Sequence, residues 1–266
     1  MTLGPFAART LLLATLVLLA ACSSKPSAPE PPPQVTTTPP QKAPPERRAQ
    51  LHSELAAGYY ERGQMAVALE EVNTAVKIDP TYAPAYNIAG LIYAYLGDDR
   101  KAEQNFAQSL QLAPNESETL HNWGWYLCTH NRQRESLAQF DAAVRNPLYR
   151  TPEVALVNAG RCAQAINDDA AAENYFRRAL EIQPGNPLAS LGLAQLAYKA
   201  GRYDEARSWM KGVMLMNNPP PDALRVGVCI ERKLGDHQAE LSYISQMKNR
   251  YPQAPETVAI ATDGCQ

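Results

Sequence analysis

Five cysteines and four histidines are the side chains in this sequence best suited to chemistry. Cys22 follows Leu19-Ala20-Ala21 and precedes Ser23-Ser24. A thiol set behind small residues is a nucleophile that a narrow processing site can reach. Cys128, Cys162, Cys229 and Cys265 remain, an even number. Such cysteines pair in an oxidising compartment or serve as small buried apolar side chains. His52, His121, His130 and His237 complete no metal-ligand spacing: Cys128 and His130 are two apart, alternate helix positions face different ways, and no second pair joins them. No Gly-rich phosphate loop and no Gly-x-Ser-x-Gly elbow is present. The expectation is a protein with no catalytic residues, no metal and no cofactor.

The chain has 266 residues, a formal charge of −2, 45% hydrophobic residues and 20% charged ones. That balance supports a packed core and speaks against a nucleic-acid binder, which carries a basic excess. Nine of the 22 prolines lie between Lys25 and Arg48, and no aromatic residue occurs from Ala7 to Gly58. Arg9 is the only charge before Cys22, and Leu11 to Ala21 is apolar apart from Thr15. Eleven residues are too few for a membrane span, which needs about 20; they suit the apolar region of a secretory signal. The Leu-Ala-Ala-Cys string resembles a bacterial lipobox. The resemblance implies cleavage before Cys22, lipid on its sulfur and new amino group, and a mature chain of 266 − 21 = 245 residues. Ser23 after the cysteine implies sorting to the outer membrane, with the protein anchored on its periplasmic face. Residues 1–21 are then a signal peptide, and 22–48 are the lipidated cysteine and a Pro-rich, semi-rigid tether.

From residue 49 the sequence repeats with a 34-residue period. The closing phrases are Val76-Lys77-Ile78-Asp79-Pro80, Leu110-Gln111-Leu112-Ala113-Pro114 and Leu180-Glu181-Ile182-Gln183-Pro184. Six units follow: 49–82, 83–116, 117–152, 153–186, 187–220 and 221–254, with a tail at 255–266. Small residues recur at Ala56, Gly90, Gly124, Gly160 and Ala194, and large ones at Val72, Phe106, Phe140, Phe176 and Met210. Mid-unit turns fall at Gly63, Gly97, Asn131, Asn167, Gly201 and Gly235. The pattern resembles the tetratricopeptide repeat and implies an all-α, right-handed superhelix of six helix-turn-helix repeats. The sixth unit departs from it: Val228 and Glu240 stand where small residues belong, as suits a terminal cap.

In that geometry the first helix of each unit lines the concave face. Its inward slots hold Ser53, Tyr60, Asn87, Leu91, Tyr95, Glu118, His121, Asn122, Trp125, Asn158, Arg161, Gln164 and Tyr198. Tyr60, Asn87, Leu91, Tyr95, Asn122, Trp125, Asn158, Arg161 and Tyr198 are the candidate partner-binding groove, since aromatic and Arg anchors with amide grips suit a protein partner. First helices of successive units are neighbours, so Cys128 and Cys162 are one candidate disulfide; Cys229 and Cys265 are the other. Each also reads as a small buried apolar residue.

The phrases Asn122-Trp123-Gly124-Trp125-Tyr126-Leu127-Cys128 and Asn146-Pro147-Leu148-Tyr149-Arg150-Thr151-Pro152, with the two-residue insertion between units 3 and 4, resemble the PilF/PilW family of type IV pilus biogenesis lipoproteins. The resemblance spans the lipobox and all six units. It implies a pilotin whose partner is the secretin of the type IV pilus system, and whose task is to bring the secretin to the outer membrane or help it form multimers. No nucleic acid and no small-molecule substrate is expected. The rival reading is another envelope scaffold, serving outer-membrane protein assembly or regulating peptidoglycan enzymes.

Overall fold

The computed structural model describes residues 43–260 together with 264 and 265. The signal peptide, Cys22 and the tether as far as residue 42 lie outside the described residues.

The described chain folds as successive antiparallel helix pairs. Unit 1 is α1 (Pro45–Glu61) and α2 (Met65–Ile78); unit 2 is α3 (Ala83–Tyr95) and α4 (Asp99–Leu112). Unit 3 is α5 (Ser117–Thr129) and α6 (Gln133–Val144); unit 4 is α7 (Pro152–Ala165) and α8 (Asp169–Ile182). Unit 5 is α9 (Pro187–Lys199) and α10 (Tyr203–Val213); unit 6 is α11 (Pro221–Leu234) and α12 (His237–Arg250). A short α13 (Pro255–Ile260) follows. Helix α1 begins at Pro45, so 45–48, read from the sequence as the end of the tether, form its first turn. Proline is tolerated there because the first-turn N–H has no helical acceptor.

Local chemistry sets the boundaries. Asp98, Asp168 and Asp236 accept the backbone N–H of Lys101, Ala171 and Ala239, capping α4, α8 and α12. All six mid-unit turn residues take positive φ: Gly63, Gly97, Gly201 and Gly235 at 73–74°, Asn131 at 62° and Asn167 at 57°. Asparagine tolerates this left-handed backbone better than other side-chain-bearing residues.

The core is built by small residues facing large ones. Gly90 lies against Phe106, Gly124 against Phe140 and Gly160 against Phe176; each Phe is at most 1% exposed. Phe176 is also covered from the next unit by Gly192, where an added Cβ would lie 2.4 Å from the ring. In the sixth unit the same close approach is made one residue earlier, by Gly227 and Tyr243. That is why Val228 occupies the repeat's small slot and is nevertheless fully buried.

Between units, first helices approach their successors closely (α1–α3, α3–α5, α5–α7, α7–α9, α9–α11), whereas among the described residues successive second helices stand farther apart and meet through long side chains, as where the Tyr175 hydroxyl of α8 donates to Asp141 of α6 at 2.9 Å. The stack therefore curves with its first helices on the inside.

Candidate functional site

The inner face is made of side chains one or two turns apart on first helices. At its N-terminal end Tyr60 of α1 and Tyr95 of α3 meet edge to face, ring centroids 6.3 Å apart. Tyr95 is 65% exposed, the outermost aromatic of the face. Burial, then the neighbouring Tyr95, pushes the Tyr60 hydroxyl above its ordinary pKa. Leu91 is half-buried against the cluster of Phe106, Tyr126 and Leu127.

In the middle the amides are occupied by one another. Asn122 Nδ2 donates to Asn87 Oδ1 at 3.1 Å. Asn158 Nδ2 lies 2.9 Å from His121 Nε2, and His121 Nδ1 lies 2.6 Å from the Tyr149 hydroxyl. A neutral imidazole satisfies both contacts: Nε2 accepts from the amide and Nδ1–H donates to the phenol oxygen. Burial lowers the His121 pKa from 6.5 to about 4, and burial raises that of Tyr149 to about 12. The loop that delivers Tyr149 carries the two-residue insertion. Asn146 Oδ1 accepts the Leu148 N–H, which turns the chain so that Leu148 is 85% exposed and Tyr149 is buried. Trp125 is half-buried on the unit 3–4 core, with the Arg161 guanidinium 5.5 Å above its ring; Arg161 itself is exposed.

Two of the candidate groove residues are engaged by the chain itself. Asn87 is 5% exposed and lies beneath the face, spent on Asn122. Tyr198 does not stand open: its hydroxyl donates to the Cys265 carbonyl at 3.2 Å, so the chain's own C-terminal segment lies over it. Periodicity shows which way a residue faces. It does not show how deep the residue sits or what reaches it from another element.

The four cysteines form two bonds. Cys128 of α5 joins Cys162 of α7, with Cα atoms 5.8 Å apart, and Cys229 of α11 joins Cys265, Cα atoms 5.3 Å apart.

The C-terminal half of the face adds Leu188, Leu191, Gln195, Asp222 and Arg225 to Arg161, Gln164 and Tyr198, which the sequence had already pointed to. A cleft of about 250 Å³ is lined by Arg161, Gln164, Leu188, Leu191, Gln195 and Asp222, with Phe176 and Gly192 also on its wall. A second, of about 290 Å³, is lined by Gln195, Tyr198, Arg225, Val226 and the Cys229–Cys265 bridge. The signal for these residues was available: Leu188, Leu191 and Gln195 occupy the same inward slots in unit 5 that were read in units 1 to 4. Among the described residues no three His, Cys, Asp or Glu side chains are placed to hold a metal, and no helix is long and apolar enough to cross a membrane.

Stacked helix pairs with a continuous inner face define a tetratricopeptide repeat protein, a class of protein-interaction scaffolds. Tetratricopeptide repeat models match residues 83–116 and 156–225. The crystal structure of PilW, described as a widely conserved type IV pilus biogenesis factor, is 31% identical, superposes with a TM-score of 0.71, and aligns over 80% of this chain and 98% of PilW. The type IV pilus assembly protein PilF of Pseudomonas aeruginosa is 24% identical over 199 residues, 75% of this chain and 79% of PilF. A solved structure of P. aeruginosa PilF has a TM-score of 0.75 at 22% identity, covering 82% of this chain and 99% of that one. The chain belongs to the PilW/PilF family of type IV pilus biogenesis proteins.

Proposed function

We propose that this protein is a pilotin: a lipoprotein held at the outer membrane through Cys22, whose repeat array binds the type IV pilus secretin and promotes its multimerisation. The observation that carries this reading is the 31% identity to PilW across 98% of PilW's length. Two features support the finer parts. The Leu-Ala-Ala-Cys string with Ser23 behind it supplies the membrane address. The inner face offers an exposed aromatic at Tyr95 and an Arg–Trp pair at Arg161 and Trp125, the side-chain types that dominate protein-binding energy. A preformed array needs no large rearrangement to bind, and a membrane tether raises the local concentration of captured subunits.

The test is the ratio of heat-stable secretin multimers to monomers in envelopes of a deletion strain, with surface pili counted in parallel. Loss of both, with an unchanged outer-membrane protein profile, is expected. Full multimers and pili in that strain overturn the reading. A general defect in outer-membrane proteins transfers the role to envelope assembly. Tyr95→Ala then examines the face itself, because a side chain this exposed is removed at little cost to folding.

A further inference from the structure

We infer that the trough between α7, α9 and α11 is a docking site for an extended protein segment that carries an acidic side chain beside an apolar one. This rests on the reading of the inner face as the partner surface, and it names the place and the chemistry.

Three observations converge. The first is which polar groups are free. In the middle of the face Asn87, Asn122, His121, Asn158 and Tyr149 satisfy one another. In the trough they do not. The side-chain amides of Gln164 and Gln195 have no hydrogen-bond partner among the described residues, and the Arg161 guanidinium rests on the Trp125 ring and makes no salt bridge among them. Free amides along a cleft offer paired donors and acceptors to a passing backbone. A guanidinium with its fork unfilled is shaped for a carboxylate.

The second is the floor. Leu188, 47% exposed, is the apolar shelf of the same 250 Å³ cleft, beside the buried Leu191 and Phe176. Gly192 lets α9 lie close against Phe176 beneath that shelf, since a Cβ there would sit 2.4 Å from the ring. An aliphatic side chain next to the acidic one covers the shelf.

The third is what the adjoining stretch of the same face already holds. Gln195 lines both clefts, so they meet. In the second, Tyr198 donates to the Cys265 carbonyl and Arg225 Nη1 to the Gly264 carbonyl, each at 3.2 Å. The inner side of α9 and α11 thus binds a segment through its backbone carbonyls, here the chain's own, and the open cleft continues that track toward α7. Asp222 on α11 lines the same cleft as Arg161 on α7. The two charges give the track a direction, with the acidic side chain toward α7.

The experiment titrates the full mature chain, in detergent, into two fluorescein-labelled peptides blocked at both ends, Gly-Ser-Glu-Leu-Leu-Ser-Gly and the same peptide with Gln for Glu. Blocked ends exclude capture of a terminal carboxylate. Tighter binding of the Glu peptide by about tenfold is expected, the usual margin of a charge-assisted over a neutral hydrogen bond. Arg161→Gln should erase that margin, so that the two peptides bind alike; Gln195→Ala should weaken both peptides and keep the margin. No binding, equal binding of the two peptides, or a margin that survives Arg161→Gln overturns the proposal. Secretin multimers in cells carrying both substitutions separate the two readings. If the peptide results hold while multimers stay at the unmodified level, the trough stands and its partner is a protein other than the secretin. If the deletion strain lacks multimers and the peptides do not bind, the secretin reading stands and the trough falls.

Discussion

Gly192 lies in the interior of α9, where glycine normally costs about 1 kcal/mol relative to alanine, and Gly212 lies in the last turn of α10. Their surroundings assign them opposite responses. A Cβ on Gly192 would lie 2.4 Å from a buried ring, whereas on Gly212 the nearest atom, Ser190 Oγ, is 3.6 Å away. Gly192→Ala should therefore lower stability by roughly 1–3 kcal/mol through overpacking, and Gly212→Ala should leave it unchanged or raise it; urea unfolding of the two variants makes the comparison. His121 gives a second prediction. Its folded pKa is about 4, below the 6.5 of the free side chain, so between those values the unfolded chain holds a proton that the folded one does not. Stability is then complete above pH 6.5 and falls as the pH drops toward 4, by up to about 1.4 kcal/mol per pH unit from this group. A pH series of unfolding free energies on the native chain and on His121→Gln should show a shallower acid slope in the variant; identical slopes contradict it. This half-buried histidine, among the chemically able residues of the sequence, is held by a tyrosine from a loop. The 34-residue period contains no sign of that contact, because the loop is where the period breaks.

At the scale of elements, much was legible and the reason is specific. Turn residues are constrained by backbone geometry alone, so Gly63, Gly97, Asn131, Asn167, Gly201 and Gly235 mark all six helix–helix turns. The Gly–Phe layers follow for a similar reason: a helix crossing this close admits one small residue against one large one. Unit 6 was harder to read because its close pair slid by one residue, to Gly227 and Tyr243, while its turn kept register. The C-terminal segment was harder still, since Tyr198 and Arg225 bind it through carbonyls that every residue has. The Cys128–Cys162 bond belongs to this scale, because it ties α5 to α7 across the junction interrupted by the two-residue insertion, with a sequence separation of 34. A closed loop of that size is worth about 3–4 kcal/mol in the chain-entropy account. The double variant Cys128→Ala, Cys162→Ala should lose stability of that order in urea unfolding, and adding reductant should then change its midpoint less than it changes that of the native chain. Equal midpoints for native and double-variant chains under oxidising conditions would falsify a stabilising role.

In the proposed reading the whole molecule couples a folded array to a membrane address at Cys22, which lies outside the described residues. Cys22→Ala should shift the protein from the outer-membrane fraction to the soluble periplasmic fraction, or leave it unprocessed; normal outer-membrane fractionation of this variant refutes lipidation at Cys22. The fold needs no lipid for its own core, because each unit's small and large residues are satisfied within the unit or by the next one. Released protein should therefore keep the helical circular-dichroism spectrum and the unfolding midpoint of the anchored form.

Each disulfide has at least one end on a first helix: Cys128 on α5, Cys162 on α7 and Cys229 on α11. A curved stack is a spring, and straightening it draws the inner helices apart. A covalent staple between α5 and α7 removes that give at one joint, and the bond at α11 clamps the far coil. Elastic compliance is left to the joints of units 1 to 3 and of units 4 to 6. Under tension the array should lengthen first where its first helices are held to one another by side-chain packing alone, and the curvature around Trp125 and Arg161 should be the last to open.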